Sequence, residues 1–120
     1  MKIGIIGSRG FNDYELLKGV MNQYIDKVDV VVSGGAVGAD KLGERWASEN
    51  GKSCLVFLPE WNKYGKSAGF KRNQDIVKNS ELVLAFWDGT SKGTKSSIDL
   101  CEKYGITVKI IKYNEFRDNC

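Results

Sequence analysis

The stretch FWDGTSKGT, residues 86–94, follows the apolar run LVLA and gathers a Trp, an Asp, two Gly, a Lys and three hydroxyl side chains into one connection. A plain turn needs few of these, and each glycine costs roughly 0.5–1 kcal/mol of backbone entropy in a regular element. Such a loop is expected to hold something. Gly89 and Gly93 free the backbone, Thr94 can cap a following helix, and Ser91 and Lys92 can reach a phosphate. Trp87 could stack on a base, and Asp88 could face a ribose.

Two more stretches carry similar chemistry. SGGAVGAD (33–40) offers Ser33, Gly34, Gly35, Gly38 and Asp40 ahead of a helical pattern. Its glycines let a backbone come close to a ligand, and the helix start supplies unpaired N–H groups suited to an anion. GSRGF (7–11) offers Gly7, Ser8 and Arg9, the last able to make planar multidentate contacts to phosphate or carboxylate. In KSAGFKRNQDIVKNS, Arg72 and Asn73 share the stripe of Ala68, Gly69, Ile76 and Val77, which should point inward. Burying them is costly unless a ligand or internal partners satisfy them.

Several familiar sites are excluded. Ser33 stands where a dinucleotide fingerprint has its first Gly, and the motif follows a second strand rather than a first. GTSKGTKS misses a P-loop because Thr94, not Lys, follows Gly93. The chain has no histidine, which removes Ser-His-Asp and Cys-His chemistry and the commonest zinc ligand. Neither a metal nor a resident cofactor is expected, and any catalysis would rest on carboxylates, Asp40 and Asp88 being the acids inside the motifs.

The elements that must position these loops alternate. Runs rich in Ile and Val at 2–7, 29–33, 53–58, 81–86 and 106–111 predict strands covered on both faces. Between the first two, Leu17, Val20, Met21, Tyr24 and Ile25 recur at helical spacing, and further helices are expected near 38–50, 67–79 and 94–104. Gly51 and Gly105 stand where helices should end. This order predicts an α/β fold, a single Rossmann-like three-layer domain with a parallel five-stranded sheet in the order 3-2-1-4-5. The switch point then falls between strands one and four, and all three loops converge beyond that edge. Residues 1–112 are expected to form the nucleotide-binding domain and 113–120 a tail.

The 120 residues are 42% hydrophobic and 28% charged, ordinary for one globular domain. A net charge of +3 is too mild to point to nucleic acid as a partner. Cys54, in an apolar run, and Cys101, in a helical pattern, read as core thiols of a reducing, cytoplasmic compartment. No stretch reads as a signal peptide or membrane span.

Together, GSRGF, SGGAVGAD, KYGKSAGFKRN and FWDGTSKGT resemble the YspA-like branch of the SLOG superfamily, which groups the DNA-processing protein DprA with the LOG phosphoribohydrolases. The resemblance implies a Rossmann-like domain, often a homo-oligomer, that binds a nucleotide or nucleotide-derived molecule such as an ADP-ribose-like or cyclic signal. Related domains act as sensors of such signals in bacterial and phage conflict, which implies a sensor or a sequestering protein here. It places a Gly-rich loop on Gly34, Gly35 and Gly38, a second phosphate loop on Asp88, Gly89, Gly93 and Thr94, and a basic helix position on Arg72. The LOG enzymes carry an acid shortly after the Thr of that second loop, whereas Lys95, Ser96 and Ser97 follow Thr94 here. A binding module is therefore expected over a nucleotide N-glycosidase, with single-stranded nucleic-acid binding as a third reading.

Overall fold

The computed structural model describes residues 1–113. β1 (Lys2–Gly7), β2 (Val30–Ser33), β3 (Ser53–Val56), β4 (Leu82–Trp87) and β5 (Thr107–Lys112) form one parallel sheet in the order β3-β2-β1-β4-β5. The helices are α1 (Tyr14–Asn22), α2 (Ala39–Glu49), the short α3 (Trp61–Tyr64), α4 (Ala68–Lys78) and α5 (Lys92–Tyr104). This is the expected α/β architecture and strand order.

Strand alternation sorts the side chains into two layers. Ile3 and Ile5 of β1 and Leu82, Leu84 and Phe86 of β4 face α1 and α2, around the fully buried Leu17, Met21 and Trp46. Ile6, Val83 and Ala85 face the other way, against Ile76 and Val77 of α4 and Leu100 and Cys101 of α5. Burying each large aliphatic side chain contributes roughly 1.5–3 kcal/mol, so β1 and β4 form the rigid centre.

Local signals set the helix ends. The Asp13 side chain accepts from the Leu16 amide at 3.1 Å, and Ser91 caps α5. Gly105 closes α5 in the left-handed conformation, and Gly51, also at positive φ, follows Asn50, the C-cap of α2.

The edges depart from expectation. β3 stops at Val56, and both edge strands carry exposed side chains where the apolar runs predict cover on both faces. Cys54, expected as a core thiol, lies exposed on β3, while Cys101 is buried. α1 ends at Asn22, since the chain turns back over Tyr24, whose carbonyl takes the Lys27 and Val28 amides. Ile25 is left exposed by that turn. Of the expected tail only Tyr113 is described; its ring meets Phe11 edge-on at 4.8 Å, and residues 114–120 lie outside the described part.

Candidate functional site

β1 and β4 run side by side, with Gly7 opposite Phe86, so their following loops leave the sheet together at the switch point. The loops are stitched to each other. The Ser8 amide donates to the Phe86 carbonyl at 3.1 Å, and the Asp88 amide donates to Ser8 Oγ at 3.3 Å. Ser8 is buried by this arrangement. Above the loops opens a cleft of about 510 Å³, floored by Ile6 and Ile76 and edged by Gly7, Ser8, Arg9 and Gly10.

The α5 side of the cleft is a helix start with free donors. Asp88 Oδ1 accepts from the amides of Thr90 and Ser91, both at 2.8 Å, which folds the loop and holds its carboxyl below the usual carboxylate range. Ser91 Oγ accepts from the Thr94 amide at 3.4 Å and lies 3.2 Å from Thr94 Oγ1. The Lys92 and Gly93 amides meet no acceptor among the described residues, as expected in a first helical turn. Gly93, Thr94 and Ser97, spaced by three and four, line the cleft as one stripe. Ser97 is only 2% exposed, yet its hydroxyl has no hydrogen-bond partner among the described residues. Its Oγ opens onto the cleft, where solvent or a ligand can reach it.

On the α2 side, the glycine loop closes on the chain's own acid. Asp40 Oδ2 accepts from the Gly34 amide at 3.0 Å and the Ala36 amide at 3.3 Å. Burial pushes its carboxyl up to about 6, opposed by those two amides and by Arg72, and assisted by Glu44. A Cβ on Gly34 would sit 2.8 Å from both the Arg72 side chain and Asp40 Oδ2, so only glycine lets the two approach. Ser33 Oγ, fully buried, donates to Glu44 at 2.8 Å and accepts from the Gly35 amide at 3.1 Å. Gly38 has φ +91° and packs on the backbone of Ser8 and Arg9.

The α4 side brings the basic group. Arg72 Nη1 donates to the Gly34 carbonyl at 2.8 Å, and Nε donates to Asn73 Oδ1 at 2.8 Å. Burial lowers the guanidinium pKa, with the Asp40 charge acting against that and Arg9 adding to it. Arg72 has five N–H donors and only two are engaged here, so others remain for the cleft that Arg72 and Asn73 line. Arg9 is exposed and makes no ion pair among the described residues.

The model of the YspA, cpYpsA-related SLOG family matches residues 1–64. The Gene 61 protein of Mycobacterium phage D29 is 39% identical over 85 residues, covering 66% of this chain and 68% of the phage protein. The chain belongs to the YspA, cpYpsA-related SLOG family. Two solved structures share the fold. DNA processing protein A (DprA) from Streptococcus pneumoniae aligns with a TM-score of 0.79 at 20% identity, over 94% of this chain and 50% of that one. This chain thus spans about half the length of that DprA. DprA from Helicobacter pylori, described for its single-stranded DNA binding mode, aligns with a TM-score of 0.74 at 19% identity, over 98% of this chain and 70% of that one.

Within this SLOG chain the expected residues divide. Gly7, Ser8, Arg9, Asp40, Arg72, Asn73, Asp88, Ser91, Gly93 and Thr94 line one cleft. Ser33, Gly34, Gly35 and Gly38 shape the loop beside it without lining it. Trp87 and Gly89 border a separate open depression of about 400 Å³ on the outer side of α5, with Lys92, Lys95 and Asp99. The Trp87 indole N–H donates to the Ser91 carbonyl at 3.0 Å, and Lys112 Nζ lies 5.4 Å from the ring centre. Ile6, Gly10, Ala36, Ile76 and Ser97 also line the cleft and had no place among the expected site residues. Ser97 was legible, because it lies one turn beyond Thr94 on the same stripe. Among the described residues no group of three or more His, Cys, Asp or Glu could hold a metal ion, and no helix is long and apolar enough to cross a membrane.

Proposed function

We propose that this cleft binds a nucleotide or nucleotide-derived small molecule and holds it without cleaving it. One observation carries the reading: free α5 amides, the unpartnered Ser97 hydroxyl and two cationic side chains, Arg9 and Arg72, border the same 510 Å³ space at the switch point. A phosphate at the α5 start would meet the amides of Lys92 and Gly93 and the positive helix end. The floor of Ile6 and Ile76 suits a flat apolar group.

Retention over hydrolysis is supported by how the carboxylates are used. Glycosidic cleavage needs an acid free to activate water or steady an oxocarbenium charge. Asp40 and Asp88 each hold two backbone amides, and Ser97 stands on the cleft wall where an acid would serve. The role we assign is a sensor or sequestering protein, in a reducing cytoplasm consistent with the buried free thiol of Cys101. A homo-oligomer is supported by the exposed apolar Val37, Leu58, Trp61 and Phe70, from the segments after β2 and β3 and the start of α4. The single-stranded DNA binding of the Helicobacter pylori neighbour offsets the weight of the mild net charge against nucleic acid, so oligonucleotides belong among the ligands tested.

Calorimetry against nucleoside monophosphates, ADP-ribose, cyclic nucleotides and short oligonucleotides is expected to find a ligand without added divalent metal, and chromatography to recover it unchanged. Arg72→Ala should then weaken binding by about 10- to 150-fold, the worth of roughly 1.5–3 kcal/mol for a charge-assisted contact. Release of free base over many turnovers, abolished by Asp88→Asn, would establish hydrolysis instead. Silence from every ligand at millimolar concentration would end the nucleotide reading.

A further inference from the structure

Trp87 is the last residue of β4, and its neighbour Phe86 points into the α1–α2 layer, so Trp87 takes the opposite side. It lies outside the cleft, yet it is not a solvent accident. Its indole N–H is fixed on the Ser91 carbonyl, the N-cap residue of α5, and Lys112 lies over its ring. The depression it borders also holds Lys92 and Lys95, and of these Lys92 has no ion-pair partner among the described residues. The first turn of α5 is thus a ridge with a hollow on each side. Gly93 forms part of that ridge, and a Cβ there would meet nothing within 4 Å, so the crest is low and open. On the cleft side stands the hydroxyl of Ser97, unpartnered among the described residues and open to the cleft. On the other side stand an aromatic ring, the unpaired Lys92 and the Lys95–Asp99 pair.

We propose that the ligand is two nucleosides joined through phosphate, seated astride this ridge. The linking phosphate sits on the free amides of Lys92 and Gly93, one nucleoside fills the cleft, and the second base lies against Trp87 with Lys92 and Lys112 near the charge. The proposal rests on the nucleotide reading of the cleft and deepens it. A hollow serving as bare surface would need neither a fixed indole nor a lysine lying over its ring. Aromatic stacking of a base is sequence-tolerant and adds affinity for every base so held.

The test compares a mononucleotide with dinucleotides of the same base by calorimetry, in an adenosine and a thymidine series. The dinucleotides are a 5′-phosphorylated 3′–5′ phosphodiester and a pyrophosphate-linked dinucleoside. At least one dinucleotide is expected to bind about tenfold or more tightly than the mononucleotide. Trp87→Ala should erase most of the dinucleotide's advantage, a larger loss than any it causes for the mononucleotide. Trp87→Phe, which also lacks the indole N–H bonded to Ser91, should keep most of the gain. Lys112→Glu, at an exposed edge-strand position, gives a second variant that should weaken only the dinucleotide. Which linkage gains identifies the bridge. Dinucleotides no tighter than the mononucleotide, or a Trp87→Ala loss shared equally by both, would overturn the proposal and leave the cleft reading standing. If neither kind binds, both readings fall.

Discussion

Gly38→Ala is expected to unfold the site and lower the melting temperature by on the order of 10 °C. The added Cβ would sit 2.5 Å from the Ser8 carbonyl oxygen and 3.0 Å from that of Arg9. Both obstacles are backbone, so no side chain can swing aside. The residue also has φ +91° and ψ −135°, a conformation costly for any L side chain. Strain of about 1–3 kcal/mol and overpacking of similar size combine to roughly 3 kcal/mol or more. Gly93→Ala makes the contrast, since its Cβ meets nothing within 4 Å and its position is helical. There the fold should hold or gain slightly, while ligand affinity falls because the methyl occupies the ridge of the cleft. Thermal denaturation beside calorimetry separates the two effects. A Gly38→Ala protein that melts like the wild type would refute the packing described for the glycine loop.

The second large effect belongs to Asp40. Its folded carboxyl titrates near 6, against a reference of 3.8, because burial outweighs the help of the Ala36 and Gly34 amides and of Arg72, with Glu44 adding repulsion. Between about pH 4 and pH 6 the folded protein therefore binds more protons at this group than the unfolded chain does. The group's contribution to stability rises on acidification through that window and is smallest above pH 6, a difference of up to about 3 kcal/mol. Asp40→Asn removes the charge, and one amide oxygen can still take both N–H groups that now meet Oδ2. Urea denaturation should show Asp40→Asn as stable as the wild type or more so at pH 7, the gap closing as pH falls toward 4. Asp40→Ala strands both amides and should cost roughly 2–4 kcal/mol at pH 7. Parallel pH profiles for wild type and Asp40→Asn would show that the carboxylate is not held as described.

Much of this was legible in the sequence, and the limits have physical causes. Strand order followed from alternating runs and right-handed crossovers, and with it the meeting of the three loops at β1 and β4. Exposure at the edges was not legible, because SCLVFL and ITVKII are as continuously apolar as the central runs. α3 spans four residues, too few for any periodicity to register. The inward stripe of Arg72 and Asn73 was legible from helical spacing, although the Gly34 carbonyl as a partner was not, being 38 residues away. Trp87 and Asp88 are adjacent in sequence, which predicts one ligand facing both. Whether β4 ends at Phe86 or Trp87 decides which layer the indole joins, and that boundary is invisible to composition.

The Asp40 carboxylate gives the glycine loop a tethered occupant. An anion arriving from solution at Gly34 and Ala36 competes with a rival supplied by the same chain, whose effective concentration is on the order of millimolar or higher. Dilute anions lose that contest. The loop also keeps its shape when the cleft is empty, so little chain entropy is spent there when a ligand arrives. Discrimination between ligands then passes to the start of α5, where the amides have no resident competitor.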